Sequence, residues 1–138
     1  MENEELVLAA VDLIDTPPEA RMGAWRLVCA AAAVNGADGF AVETNRRQEH
    51  SDELRPLNPA QDIGDQLGRL AEESVSVNLY RGDEWLAGAA DWGSGLSMLF
   101  EKEQLLRLLE SLKYIAPKAR VDTAEVYDRP RLIPPGEA

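Results

Sequence analysis

His50 is the only histidine in a chain of 138 residues, and it lies within the segment Glu49-His50-Ser51-Asp52-Glu53. A histidine beside carboxylates and a hydroxyl is the residue set of acid–base and nucleophilic catalysis. Such catalysis needs the groups to converge in space with separate roles, and consecutive residues of one polar loop do not meet that condition. We interpret His50 as a solvated loop residue, predict no catalytic residue, and expect that the protein is not an enzyme.

The sequence also lacks the cysteine and glycine patterns that hold metals or phosphates. One cysteine, Cys29, and one histidine are too few for a structural zinc site, which takes about four such ligands. No acidic pair has the spacing of a magnesium site. Cys29 falls on the apolar side of a predicted helix, where a cysteine behaves as a small hydrophobic residue. Gly93-Ser94-Gly95 has no lysine after it and predicts a turn. The sequence predicts no metal and no cofactor.

Aromatic and acidic side chains are interleaved in one short stretch of the chain. The set comprises Tyr80, Asp83, Glu84, Trp85, Asp91 and Trp92. Aromatic side chains give an interface a large contact area at little entropic cost. Trp85 and Trp92 have opposite parity on one predicted strand, so without a bulge only one of them faces the core. We predict that the set forms a partner-binding surface; the alternative is that both tryptophans are core residues.

The first third of the chain predicts two helices. Leu6–Ile14 has a broad apolar face and predicts the first helix, with a strand as the alternative because the stretch is rich in Val, Leu and Ile. Thr16-Pro17-Pro18-Glu19 has the form of a capping box with proline at the first helical position. The helix that it starts is predicted to end at Asn35-Gly36.

A strand, a long loop and a third helix are predicted next. Phe40–Thr44 reads as a short strand. The Asn45–Asn58 stretch has little apolar content and predicts an exposed, poorly ordered loop. Asn58-Pro59 predicts the start of the third helix, in which Gly64 and Gly68 permit close approach of another backbone.

The remaining sequence predicts a meander, a helix and a last strand. Apolar residues alternate from Val75 to Tyr80, the turn Arg81-Gly82-Asp83-Glu84 follows, and Trp85–Trp92 and Leu96–Phe100 give two further strands. Leucines from Leu105 to Leu112 mark an amphipathic helix.

Val121–Tyr127 predicts the final strand. The fold class is therefore α+β: a mostly antiparallel sheet, made of the three-stranded meander plus one or two short strands, packed against about four helices. Residues 1–128 form one domain, and a proline-rich tail follows over 129–138.

The charge of the chain restricts its partners. Fourteen basic and 25 acidic residues give a net charge of −11. This charge argues against binding to nucleic acid or to an anionic membrane, because both need a basic surface. It favours a basic protein partner. The acidic start lacks the features of a secretory signal, and no apolar run approaches the ~20 residues of a membrane span, so we expect a cytoplasmic protein.

These features together predict a small acidic protein-binding protein of bacterial type. The leading hypothesis is an immunity or inhibitor protein that neutralises a toxin-like partner by stoichiometric binding. A dedicated secretion chaperone has the same profile, but it should dimerise and bind an extended segment, whereas an immunity protein should bind a folded domain. A small enzyme using carboxylates or His50, which would need a deep pocket, and a nucleic-acid mimic are further alternatives.

Overall fold

The computed structural model of the protein describes residues 6–43, 54–73, 75–90 and 93–126. Within these ranges the chain forms seven strands and three helices. Their bounds are β1 Leu6–Asp12, α1 Pro18–Val34, β2 Gly39–Glu43, β3 Arg55–Pro56, α2 Ile63–Glu73, β4 Ser76–Arg81, β5 Glu84–Ala90, β6 Gly95–Glu101, α3 Lys102–Ile115 and β7 Arg120–Val126.

One antiparallel sheet contains all the described strands, in the order β3-β2-β4-β5-β6-β1-β7. The α+β class and the meander of β4, β5 and β6 are confirmed, and the meander forms the centre of the sheet. The sheet is larger than predicted, because β2 and β3 extend it on one side and β1 and β7 extend it on the other.

The predicted first helix is wrong, because Leu6–Asp12 is the strand β1. It pairs along its whole length with β6 on one side and with β7 on the other. A helix would leave the edge of β6 without a partner, whereas the strand satisfies the backbone groups of both neighbours. Ala9 and Val11 are buried on one side of the strand. The described chain therefore has three helices instead of about four.

The predicted capping box at Thr16 is also wrong. α1 begins at Pro18 with Pro17 at its N-cap, and no side chain caps the helix. Thr16 thus lies one position too early to reach the free N–H groups of the first turn. Its Oγ1 is buried without a hydrogen-bond partner. The predicted end of this helix is confirmed, since Asn35 is the C-cap and Gly36 follows with a φ of +88°.

The Arg21 side chain holds the turn between β1 and α1 in the absence of a cap. Its Nε donates to the carbonyl oxygens of Leu13 and Thr16, at 3.0 and 2.9 Å. Its Nη2 donates to the Ile14 carbonyl at 3.0 Å. A charged donor shared by three backbone acceptors fixes where the chain leaves the sheet.

α2 begins later than predicted, at Ile63 instead of Pro59. Asn58 instead forms a local turn, in which its Oδ1 accepts from the Ala60 N–H at 3.0 Å. Gln66 fastens this turn to the helix by donating to the Asn58 carbonyl at 2.8 Å and accepting from its N–H at 2.9 Å. The asparagine and proline therefore lead the chain into the helix without starting it.

The predicted Asn45–Asn58 loop is only partly described. Arg55 and Pro56 form β3, which pairs with β2 at the edge of the sheet, so a loop is wrong for these residues. Leu54 and the two β3 residues are exposed, as expected. Residues 44–53, which include His50, lie outside the described ranges, and so does the tail at 129–138.

All three helices pack on one face of the sheet. The core cluster joins α1, α2 and α3 to buried residues of four strands, β1, β4, β5 and β6, including Ala9, Val77, Ala89, Met98 and Phe100. Trp25 on α1 is 1% exposed, and its Nε1 donates to the Leu67 carbonyl at 3.3 Å.

α1 and α2 approach each other closely at the two glycines of α2. A Cβ on Gly64 would lie 3.1 Å from Arg26 Cγ, and a Cβ on Gly68 would lie 3.1 Å from Met22 Sδ. The neighbours at these glycines are thus α1 side chains and not the backbone that we expected.

Candidate protein-binding face

The sheet surface opposite the helices is called the open face here. No helix in the described ranges packs against it. The strand register places one residue from each of six strands in a single row across this face: Ala41, Asn78, Gly88, Ser97, Ala10 and Asp122. The members of this row are small or short, and Ala10 and Asp122 are its exposed members.

A register shift between β4 and β5 brings Tyr80 and Trp85 to the open face. Leu79 pairs with Ala87, whereas Tyr80 pairs with Trp85, which leaves Leu86 as an extra residue. Leu86 and Ala87 both join the core, as expected for the two residues of a β-bulge. Trp85 consequently lies beside Tyr80 on the other side of the sheet. Tyr80 is 8% exposed and Trp85 is half-buried.

The Trp85 indole is held by a hydrogen bond from β5 to a side chain of the neighbouring strand β4. Its Nε1 donates to Asn78 Oδ1 at 2.9 Å. To accept this bond, the Asn78 amide lies over Gly88, its direct partner on β5. A Cβ on Gly88 would collide with Asn78 Oδ1 and would lie 3.0 Å from the Val77 carbonyl oxygen. Glycine is therefore required at position 88 for the indole to be held as it is.

The turn between β4 and β5 places an acidic residue at the end of the open face. Gly82 has a φ of +61°, and its N–H donates to Asp38 Oδ1 at 3.0 Å. Asp83 is exposed in this turn. Glu84 forms an ion pair with Arg81 at 2.9 Å.

The structure thus brings Tyr80 and Trp85 together and sets Asp83 at their edge. Asp91 and Trp92 lie outside the described residues. The assignment of all six predicted residues to a partner-binding surface remains a prediction.

A second group of acids lies at the far side of the open face, which the sequence analysis missed. Asp12 and Asp122 are exposed there beside a base, Arg120. A shallow depression of about 420 Å³ lies among them. Its lining includes Ala10, Asp12, Ile14, Ser97, Arg120 and Asp122. The strand alternative for Leu6–Ile14 was the signal that could have located it, because only a strand sets Asp12 and Ala10 on the same side.

Among the described residues, the side chains that could bind a metal are dispersed, and the one cysteine is buried. No group of three or more His, Cys, Asp or Glu side chains in the described ranges is placed to hold a metal ion. Cys29 is fully buried, and burial raises the pKa of its thiol, which keeps the thiol protonated at neutral pH. No helix in the described part of the chain is long and apolar enough to cross a membrane.

Comparison with known proteins gives little similarity. No protein-family model matches the chain, and no curated protein matches it. Among solved structures, a Pseudomonas aeruginosa T6SS protein, PA0821, is similar to it. The two are 12% identical, the similarity covers 96% of this chain and 42% of that chain, and the TM-score is 0.47. The chain thus spans less than half of that protein chain, and a similarity of this size supports no conclusion on function.

Proposed function

We propose that the protein binds one basic protein in a one-to-one complex through its open face, and that it acts as an immunity-type inhibitor of a toxin-like partner. The observation that carries the proposal is Trp85. A half-buried indole, held by Asn78 above Gly88, lies beside the row of small and short side chains. Aromatic side chains of this kind, already fixed before binding, are typical hot spots of protein interfaces.

The size of the open face suits a complex with a folded partner. Six strands spaced by about 4.8 Å and about 20 Å long give a surface of roughly 500 Å². A standard interface buries about 800 Å² on each partner. Residues around the open face, its rim, must therefore supply the remaining interface area. The rim includes Asp83 at one end and the depression beside Asp12 at the other.

Charge sets the chemistry of the proposed partner. The protein carries a net charge of −11, and the acids Asp12, Asp83, Glu101 and Asp122 are exposed on or beside the open face, together with the base Arg120. A basic partner would be steered to this surface, and its association rate would fall as salt is added. A toxin domain that acts on nucleic acid needs a basic surface and would therefore be a partner of this kind.

Binding kinetics with the captured native partner test the proposal. Trp85→Ala should speed dissociation about thirtyfold, which corresponds to the roughly 2 kcal/mol of a hot spot. Asp83→Lys should mainly slow association and weaken its salt dependence, because rim charges steer the encounter. Tyr114→Ala is the matched control, since Tyr114 on α3 is 91% exposed and far from the sheet surface. A thermal melt of each variant separates lost binding from lost folding.

If Trp85→Ala and Asp83→Lys both remain folded and neither changes the association or dissociation rate, the interface does not lie at the open face.

A secretion chaperone is the second candidate function, and one observation favours it. Among the described strands, β7 is the last in the sheet order, and most of its residues are exposed. A chaperone that holds an extended segment needs such an edge, whereas an immunity protein that covers a folded domain does not.

A further inference from the structure

We infer that the proline-rich tail of this chain, through its residues Arg129–Pro135, binds across an apolar strip of the open face that contains Tyr80, Trp85 and Leu99. The contact lies within one molecule and does not rest on the proposed function. The strip shares Trp85 with the proposed interface, so the tail and a basic partner would compete for that indole.

The apolar strip lies one step along the strands from the central row of small side chains. Leu99 is two residues beyond Ser97, so its side chain points to the open face, and its direct partner Leu8 points the same way. The register shift between β4 and β5 brings Trp85 into this row. The full strip comprises Gly39, Tyr80, Trp85, Leu99, Leu8 and Ala124.

The burial of Leu99 indicates that something covers the strip. Leu99 is 0% exposed, although the core cluster and the helices lie on the other side of the sheet. Leu8 also lies between two strands, and it keeps part of its surface exposed. The Trp85 indole leans towards Asn78 on β4, which is away from Leu99 on β6. Neighbouring strands shield the flanks of a side chain but not its end, so complete burial requires further atoms above Leu99.

The composition of the tail suits an apolar strip that contains aromatic rings. Leu132 and Ile133 stand between Pro130 and the pair Pro134-Pro135. Prolines favour the polyproline II conformation, which exists before binding and therefore loses little entropy on binding. Segments of this kind bind to surfaces lined by aromatic side chains, and the strip offers Tyr80 in addition to Trp85.

Other stretches outside the described ranges suit the strip less well. Residues 1–5 contain one apolar residue, Met1, and residues 44–53 contain none. Trp92 follows the last residue of β5, at the end of that strand remote from Trp85. The tail is therefore the segment of the chain whose composition fits the strip.

The tail also starts within reach of the strip. β7 ends at Val126, one pair beyond the strip in the register with β1. Three strand spacings of about 4.8 Å separate β7 from β5, which is roughly 14 Å. About five residues in polyproline II conformation, at about 3.1 Å each, span this distance. Leu132 and Ile133, which follow Val126 by six and seven residues, can therefore lie over the strip.

Charge complements the apolar contact. Glu101 is exposed on the open face, two residues beyond Leu99 on β6 and in the same row as Val126. The Arg129–Pro135 stretch carries two arginines and no acid. An arginine of this stretch would pass close to the Glu101 carboxylate as the tail crosses from β7 to β5. A second copy that presented its own open face to the strip would bring acids to Glu101 instead.

Thiol reactivity in the full-length free protein tests the inference. Leu99→Cys places a thiol beneath the proposed cover, and its alkylation by iodoacetamide should be slow. Leu132→Ser combined with Ile133→Ser should speed this alkylation about tenfold, because the tail then loses its apolar contact with the strip. Cys29 is fully buried in the core, so its alkylation reports unfolding of the whole protein and should stay slow throughout.

Two controls are matched to these substitutions. Asp128→Ser combined with Glu137→Ser changes two residues near the same tail but outside the crossing stretch, and it should leave the rate unchanged. Glu101→Gln should speed alkylation of the Leu99→Cys thiol, whereas Glu110→Gln, at an exposed position of α3, should not.

Nuclear magnetic resonance of the unsubstituted protein gives an independent reading if Leu99→Cys does not fold. Nuclear Overhauser effects are expected between the methyl groups of Leu132 or Ile133 and the Trp85 indole. Their relative intensity should not change on tenfold dilution, because the contact lies within one molecule.

Fast alkylation of the Leu99→Cys thiol with the native tail present would show that the strip is uncovered and would overturn the inference. Equally slow alkylation with and without the two serines in the tail would overturn it too, because another segment would then cover Leu99. Protection lost on dilution would identify a second copy as the occupant. No partner takes part in these measurements, so their failure is distinct from a failure of the proposed function.

Discussion

Replacement of Gly88 by alanine is expected to lower the free energy of unfolding by about 2 kcal/mol and to release the Trp85 indole. The added Cβ would collide with Asn78 Oδ1 and would lie 3.0 Å from the Val77 carbonyl oxygen. Overpacking of this kind costs about 1–3 kcal/mol. The Asn78–Trp85 hydrogen bond, worth about 1 kcal/mol net, would be lost as the amide moves. The smaller entropy of an unfolded chain with alanine offsets about 0.4–1 kcal/mol.

A double-mutant cycle separates the two contributions. In the Asn78→Ala background the amide is absent and the hydrogen bond is already lost, so Gly88→Ala then meets only the Val77 carbonyl. Its cost there should be about 1 kcal/mol or less, which gives a coupling between positions 78 and 88 of about 1 kcal/mol.

Urea unfolding followed by circular dichroism measures the four free energies of this cycle. Tryptophan emission of the folded proteins should shift to longer wavelength when either substitution frees the Trp85 indole. An equal cost of Gly88→Ala in both backgrounds would contradict this prediction, because it would show that Gly88 does not accommodate the Asn78 amide.

Three further outcomes are expected. Thr16→Val should raise the free energy of unfolding by about 1 kcal/mol, since it replaces a buried hydroxyl that has no partner with a methyl group; a loss of stability in urea melts would show that the hydroxyl is hydrogen-bonded. Arg21→Met should lower stability by about 2 kcal/mol through the loss of its bonds to the Leu13, Ile14 and Thr16 carbonyls, and an unchanged melt would show that the turn is held otherwise. Burial raises the pKa of the Cys29 thiol above its unfolded value, so the free energy of unfolding should be constant below about pH 8.5 and fall above it, where only the unfolded chain releases the proton. A Cys29→Ser variant should lack this pH dependence, and a constant free energy of unfolding of the wild-type protein above about pH 9 would contradict the prediction.

Sequence patterns predicted the elements whose two sides differ in environment. β4 alternates buried and half-buried residues, and α3 repeats leucines at the spacing of a helix with one buried side, so each pattern has one interpretation. β1 has apolar or small residues on both sides because it lies inside the sheet. A short apolar stretch of this kind fits a strand and a helix equally well, and the choice is made by β6 and β7, which are distant in sequence.

The candidate site was predictable in composition and not in arrangement. Aromatic and acidic residues near the meander turn indicated a surface, and Tyr80, Asp83 and Trp85 do lie near one another. The register shift that turns Trp85 to the open face comes from cross-strand pairing and leaves no local signal. The same holds for Asn78 and Gly88, whose roles exist only because they are direct partners.

Binding of a basic protein by the open face, the claim to be tested, predicts the mass of the complex formed with one matched pair of variants. Ala10 is exposed in the central row of the open face, and Ala33 is exposed on α1 in the helix layer. Arginine at either position adds the same size and charge. The wild-type protein and Ala33→Arg should each capture the same basic protein from the native host as a one-to-one complex in light scattering after gel filtration. Ala10→Arg should remain folded and elute alone. Retention of the partner by Ala10→Arg at the wild-type level, or the loss of it in Ala33→Arg, would contradict the claim.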